Sequence, residues 1–205
     1  ADPQLLQSTL LEGIRRNGLA CLPWNAAARQ LQARISFMHR AVPRDWPDVS
    51  DAMLLSTLHE WLLPYLHGMK RLVQLRRLDL HAVLLARLPW VQQRQLDELA
   101  PSHLTVPSGS RVRLDYSQET PVLAVRLQEM FGLVDTPRIA GGRLPVLLHL
   151  LSPARRPVQV TQDLATFWQG SYHDVKRELK GRYPKHHWPD DPLQAEPTAR
   201  AKRNR

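Results

Sequence analysis

Apolar positions recur at helical spacing through roughly the first hundred residues and at other spacings after them. Leu5, Leu6, Leu10, Leu11 and Ile14 follow Pro3 and stop at Asn17-Gly18. That pattern predicts an amphipathic helix with proline at a first helical position and glycine at its end. Trp24, Ala28, Leu31, Ile35 and Met38 recur at steps of four and three, with Arg29, Gln30, Gln32 and Arg34 between them, which is one helical face. Pro43 to Pro47 reads as a linker. Ser50 or Asp48 then caps a third helix through Met53, Leu54, Leu58 and Leu62, and Pro64 is expected to kink or end it. Lys70 to Leu88 predicts one or two short helices, and Pro89 starts another that runs to Pro101.

Beyond Pro101 the period changes. Pro107-Ser108-Gly109-Ser110 is turn chemistry, and residues 111–116 alternate with period two, which predicts a strand. Thr120-Pro121 reads as the start of a helix with the face Leu123, Leu127, Met130 and Phe131, closed by Gly132. Gly141-Gly142 between residues 138–140 and 143–151 predicts a hairpin with a two-residue turn, its second strand beginning late or bulging at Pro145. A short strand is expected near Val158 to Val160, then two helices started by Thr161 and Ser171. From Pro184 the recurring prolines and the terminal Arg200, Lys202, Arg203 and Arg205 read as a mostly unfolded tail. The expected organisation is α+β. A helical subdomain over 1–101 packs on a small subdomain over 102–184 with an antiparallel sheet and flanking helices, and a Pro-rich basic tail covers 185–205.

Composition changes this picture in two ways. The 43% hydrophobic content suffices for a core, while no apolar stretch approaches the roughly 18 residues of a membrane span. A single cysteine, Cys21, excludes an internal disulfide framework and thiolate-cluster metal sites, and fits a reducing, cytoplasmic setting. The opening Ala1-Asp2-Pro3 has no charged and apolar leader and fits a piece of a longer chain. Charge points outward: 28 basic against 19 acidic side chains give +9. Residues 1–100 hold 12 and 9, and residues 101–205 hold 16 and 10, so the second half carries the larger excess. Most of the cations are arginines, whose planar fork suits phosphate and makes nucleic acid the first partner to consider.

No glycine-rich phosphate loop ending in Lys-Ser/Thr is present, so the chain is not expected to hydrolyse ATP by itself. His59 and His67 stand eight apart and His186-His187 lacks a carboxylate at ligand spacing, so no metal site is expected, and no nucleophile motif marks a catalytic residue. The binding candidates are Arg138, Arg143, Arg155, Arg156, Lys176, Arg177, Lys180, Arg182 and Lys185, which face only Asp163, Asp174 and Glu178 over residues 138–187. On the helix begun by Ser171, His173, Lys176 and Lys180 share an outer stripe. Like charges at that spacing cost stability unless an anion meets them. A competing reading pairs Asp174 and Glu178 with Arg177 and Arg182 and leaves the face merely solvated. Tyr183 and Trp188 are the candidates for stacking on bases.

Residues 22–37 (LPWNAAARQLQARISF), 46–62 (WPDVSDAMLLSTLHEWL), 96–117, 121–133 and above all 136–192, from TPRIAGGRLPV to GRYPKHHWPDDP, resemble the C-terminal region of the bacterial HrpB family of DExH-box ATP-dependent RNA helicases. The resemblance implies a parent chain that binds ATP and magnesium on two RecA-like domains and carries this region as an appendage after them. None of the parent's ATP-binding motif residues falls here, so no catalytic residue carries over. The expectation is a non-catalytic accessory module that contacts RNA phosphates and extends the helicase's track. The alternative is a docking or regulatory module that touches the parent's upstream domains, or another protein, without contacting RNA.

Overall fold

The computed structural model describes residues 3–199, which form two compact units divided between Ala100 and Pro101.

The first unit is helical: α1 (Pro3–Asn17), α2 (Ala26–Ala41), α3 (Asp51–Ser56), α4 (Leu58–Trp61), α5 (Leu80–Leu85) and α6 (Trp90–Leu99), with 3-10 turns at Leu19–Cys21, Leu63–Leu66 and Leu72–Arg77. Helices α2, α3 and α5 start where a side chain satisfies one of the first free amides. Asn25 accepts from the Ala28 amide at 2.8 Å, Ser50 from Met53 at 3.3 Å and Asp79 from Ala82 at 3.1 Å. Leu10, Leu11, Ile14, Leu31, Ile35 and Met38 are buried as their spacing predicts. The third helix breaks before Pro64, at Thr57. Ser56 and Thr57 both donate hydroxyl bonds to the Met53 carbonyl, and Thr57 leaves helical geometry at φ −105°, ψ 22°.

The second unit is built on a sheet of β1 (His103–Thr105), β2 (Arg111–Asp115), β3 (Val122–Arg126), β6 (Leu147–Leu151) and β7 (Pro157–Thr161) in the order β1-β2-β3-β6-β7, beside a two-stranded ladder of β4 (Arg138–Ile139) and β5 (Leu144–Pro145). Helices α7 (Leu164–Gln169) and α8 (Tyr172–Arg182) follow. The architecture is α+β, and its sheet is mixed, since β3 and β6 run parallel while the other pairs run antiparallel. The helix expected from Pro121 is instead strand β3 and a 3-10 turn at Leu127–Met130. Leu123, Leu127, Met130 and Phe131 are fully buried as anticipated, but a short apolar run does not distinguish a buried strand from a buried helix. Val122 and Val125 tip the balance toward strand.

The hairpin loop spans four residues, 140–143, rather than two. Ala140, Gly141 and Gly142 take φ of 54°, 66° and 79°. After Pro145 the chain leaves that ladder and enters the main sheet as β6. One sheet face, with Leu114, Leu123, Val125, Leu148 and Leu150, is 2% exposed or less. The core also holds an aromatic cluster in which the Tyr172 ring stands edge-on to Phe131 at 6.4 Å, Phe167 at 6.1 Å and Trp168 at 5.3 Å.

The Pro-rich segment read as mostly unfolded has no regular element over 185–199, but it is tied to the second unit. Gly132 N–H donates to Pro192 O at 3.0 Å, Thr198 N–H to Gln128 O at 3.0 Å, and Arg126 Nη1 to Ala199 O at 2.7 Å. Residues 200–205, which carry the terminal cations of that tail, lie outside the described residues.

Candidate nucleic-acid interface

The nine sequence-selected cations divide by what they touch. Arg138, though exposed, folds back over its own hairpin loop, donating to Gly142 O at 2.6 Å and Arg143 O at 2.9 Å. Arg177 and Arg182 form exposed pairs along α8 with Asp174 at 3.4 Å and Glu178 at 3.3 Å, as the solvated-face reading anticipates. Lys176 is ion-paired with Asp190, and its side chain is only 14% exposed. The anion that the His173, Lys176 and Lys180 stripe calls for therefore comes from within the chain. Asp190 feels all three side chains, and its carboxyl sits below the usual carboxylate range chiefly because Lys176 donates a hydrogen bond to it.

Arg143, Arg155, Arg156, Lys180 and Lys185 remain exposed. Among the described residues, no carboxylate lies within ion-pair distance of Arg143, Arg155, Arg156 or Lys185. Arg155 and Arg156 sit in the turn between β6 and β7. That turn is closed by the Ser152 and Arg155 amides, which donate to Arg156 O and Ser152 O at 2.8 Å. Arg155 holds φ 61°, an uncommon conformation for a residue with a side chain. The Ser152 hydroxyl meets the Tyr183 hydroxyl at 3.5 Å. This contact brings the turn against the end of α8, so Arg155 and Arg156 share a corner with Arg182, Tyr183 and the segment that leads to Lys185. Arg143, out on the hairpin loop, is not part of it.

The two aromatic candidates part ways. Tyr183 is half-buried at the corner. Trp188 is 8% exposed and donates its indole N–H to Tyr183 O at 2.9 Å, so its ring serves the core instead of offering a stacking face. His186 bridges them, 6.2 Å from Tyr183 and 6.4 Å from Trp188, and its Nδ1 lies 3.0 Å from Gln128 Nε2. Burial, helped by the nearby Arg126 charge, lowers its pKa and favours the neutral ring. The Tyr172 hydroxyl, which donates to Pro189 O at 2.8 Å, has its pKa raised by burial and then by Asp190 and Asp191.

Arg111, Arg113 and Arg126, on β2 and β3, were not selected from the sequence. The signal for two of them was present: period-two alternation over 111–116 puts Arg111 and Arg113 on one side of a strand whose other side is apolar. Among the described residues, no group of three His, Cys, Asp or Glu side chains gathers to hold a metal ion, and no helix is long and apolar enough to cross a membrane.

Comparison with known proteins places this geometry. The chain is 48% identical over 200 residues to the ATP-dependent RNA helicase HrpB of Escherichia coli strain K12, covering 97% of the chain and 25% of that protein. It superposes on a crystal structure of the E. coli DExH-box NTPase HrpB with TM-score 0.89 at 48% identity, over 98% of the chain and 25% of that protein. A crystal structure described as the E. coli DEAH/RHA helicase HrpB gives TM-score 0.75 at 46% identity, over 92% of the chain and 24% of that protein. The chain thus spans about a quarter of the length of the relatives it matches. Its residues 61–192 match the family described as ATP-dependent helicase C-terminal, HrpB_C, and the chain belongs to that family.

Proposed function

We propose that this chain is a non-catalytic accessory region of an ATP-dependent RNA helicase and that it binds RNA phosphates at the corner where the β6–β7 turn meets the end of α8. ATP and magnesium would be handled by other parts of such a helicase. The observation that carries the reading is the group of exposed cations at that corner, Arg155, Arg156 and Lys185, with no carboxylate partner among the described residues. Cations placed this way gain most from an external polyanion that releases its counterions. Tyr183 beside them, half-buried, is the ring that an unstacked base would meet. The test is filter binding of the purified chain to single-stranded RNA at about 50 mM salt. Affinity tighter than roughly 100 μM supports the reading, and anything weaker, below ordinary non-specific binding, removes it. The same protein is expected to turn over no ATP, with or without RNA.

A second reading, a docking module for the helicase's upstream domains or for another protein, is favoured by one feature of the first unit. Trp90 and Val91, adjacent at the start of α6, are 71% and 62% exposed. Large apolar side chains left open together mark contact surfaces. That reading predicts weak RNA binding and no effect of charge reversal at Arg155 and Arg156.

A further inference from the structure

The sheet of the second unit has one sealed face and one open one. Side chains alternate along each strand, so with Leu114, Leu123, Val125, Leu148 and Leu150 packed inward, Arg111, Arg113, Ala124, Arg126 and His149 stand on the opposite face. The register joins them across strands. His103 pairs with Arg113, Thr105 with Arg111, Ala124 with His149 and Arg126 with Leu151. Ala124 is exposed and Val160, paired with His149, is 50% exposed, so the middle of the face is open. Asp115 is the acidic residue on these strands. Arg113 and His149 both act on its carboxyl, which Ser117 hydrogen bonds hold below the ordinary carboxylate range, so the three groups are neighbours. Arg111 and Arg113 are exposed, whereas Arg126 is half-buried and donates to Ala199 O, so two exposed arginines against one aspartate leave this face cationic.

The face also has a direction. β3 and β6 run parallel, and Arg126 is in register with Leu151, the last residue of β6 before the turn that bears Arg155 and Arg156. The open face therefore leads to the corner described above. Its centre is a small, exposed alanine, which leaves room for close approach of a sugar-phosphate backbone.

We propose that the open sheet face, through Arg111 and Arg113, is a second phosphate-binding surface continuous with the β6–β7 corner, so that one RNA strand lies along both. The proposal rests on the reading that the corner binds RNA, and it extends the footprint to strands β2 and β3.

The test is fluorescence anisotropy of the 205-residue chain with fluorescein-labelled oligouridine of about 6 and about 20 nucleotides, titrated with salt. A continuous surface binds the longer RNA at least tenfold tighter. Arg111→Glu with Arg113→Glu raises its Kd at least fivefold and flattens the log-log salt slope by about 1.4, since each lost phosphate contact on a single strand is worth about 0.7. Arg111→Gln with Arg113→Gln controls for folding and is expected to melt as the unmodified chain does while losing a smaller part of the affinity. If the glutamate pair leaves Kd and slope within twofold while Arg155→Glu with Arg156→Glu weakens binding, the sheet face takes no RNA and only the corner stands. Equal affinity for the two RNA lengths also overturns the continuous surface. Failure of the unmodified chain to bind either RNA removes both readings.

Discussion

Lys176 on α8 and Asp190 in the Pro-rich segment form an ion pair whose lysine is largely enclosed and whose carboxylate is fully exposed. The pair joins a helix to a segment of no regular structure, next to the hydrogen bond from Tyr172 to Pro189. It also neutralises the like-charge stripe of α8. Lys176→Glu would bury a carboxylate facing another carboxylate, whereas Lys180→Glu changes an exposed side chain. Thermal denaturation is expected to show a clear loss for the first substitution and little for the second. Because Asp190 has its pKa lowered in the fold, its contribution is present above the unfolded-state value of about 3.9 and is lost as pH falls through the folded one. Asp190→Asn should accordingly flatten the acid limb of the stability curve. An unchanged acid limb would assign the anchoring to the other bonds of the segment, those of Tyr172, Trp188, Gly132, Thr198 and Arg126.

A second enclosed cation works inside the helical unit. Arg34 of α2, 8% exposed, donates to Ala100 O at 2.6 Å, to Leu96 O at 3.3 Å and to Asp97 at 2.6 Å. It thereby satisfies the Ala100 carbonyl and adds a second bond to the Leu96 carbonyl, which the Ala100 amide already meets, at the end of α6. A lysine cannot span these acceptors with a planar fork. Arg34→Lys is expected to cost about 1 to 3 kcal/mol, the range for leaving buried polar groups unsatisfied, by chemical denaturation.

Arg34 also shows where the sequence stops being readable. The Leu31, Ile35 and Met38 spacing locates the buried stripe of α2, but Gln32 and Arg34 sit between its members and look like surface residues. They are buried because partners far along the chain, Val49 and Asp51 for Gln32 and residues 96–100 for Arg34, accept from them. The same limit explains strand β3. Its core residues were identified, but their element depends on pairing with β6, which periodicity does not encode. At the candidate interface, composition located the excess charge in the second half. It could not tell that Asp190 would claim Lys176, that hairpin carbonyls would claim Arg138, or that Trp188 would turn inward. Each depends on a contact between segments that only the fold brings together.

The 140–143 loop gives a conformational prediction. Gly141 and Gly142 hold φ of 66° and 79°, and a Cβ on Gly142 would meet no atom within 4 Å. The penalty for an alanine at Gly142 is thus backbone strain and not a clash. Replacing both glycines by alanine is expected to destabilise the second unit by roughly 1 to 3 kcal/mol. An unchanged melting temperature would mean that the loop relaxes at no cost.

The buried indole at the corner is separable from RNA contact. Trp188→Phe keeps an apolar ring but loses the indole N–H bond to the Tyr183 carbonyl, which still accepts from the His186 amide at 3.1 Å, so a loss of about 0.5 to 1.5 kcal/mol in stability is expected. RNA affinity measured well below the melting temperature should stay within about twofold. A large loss of affinity with an intact fold would return Trp188 to the interface.

Arg155 offers the sharpest separation of stability from function. At φ 61° it occupies backbone geometry that costs an L-residue roughly 1 to 2 kcal/mol and costs glycine little. Its exposed side chain has no carboxylate partner among the described residues to offset that strain. Arg155→Gly is therefore expected to stabilise the second unit by about 0.5 to 1 kcal/mol, the strain relieved less the entropy glycine loses on folding. If the arginine neutralises one phosphate of single-stranded RNA, the same substitution flattens the salt slope by about 0.7 and weakens binding at about 50 mM salt. With the corner cations Arg155, Arg156 and Lys185 each meeting one phosphate, the starting slope is near −2.1, and affinity falls roughly 20-fold between about 50 and 200 mM salt. A variant that is more stable yet binds RNA less well would tie the strained turn to binding, because a purely structural arginine would lose stability on removal. A variant that gains stability and binds RNA with an unchanged slope would remove Arg155 from the interface.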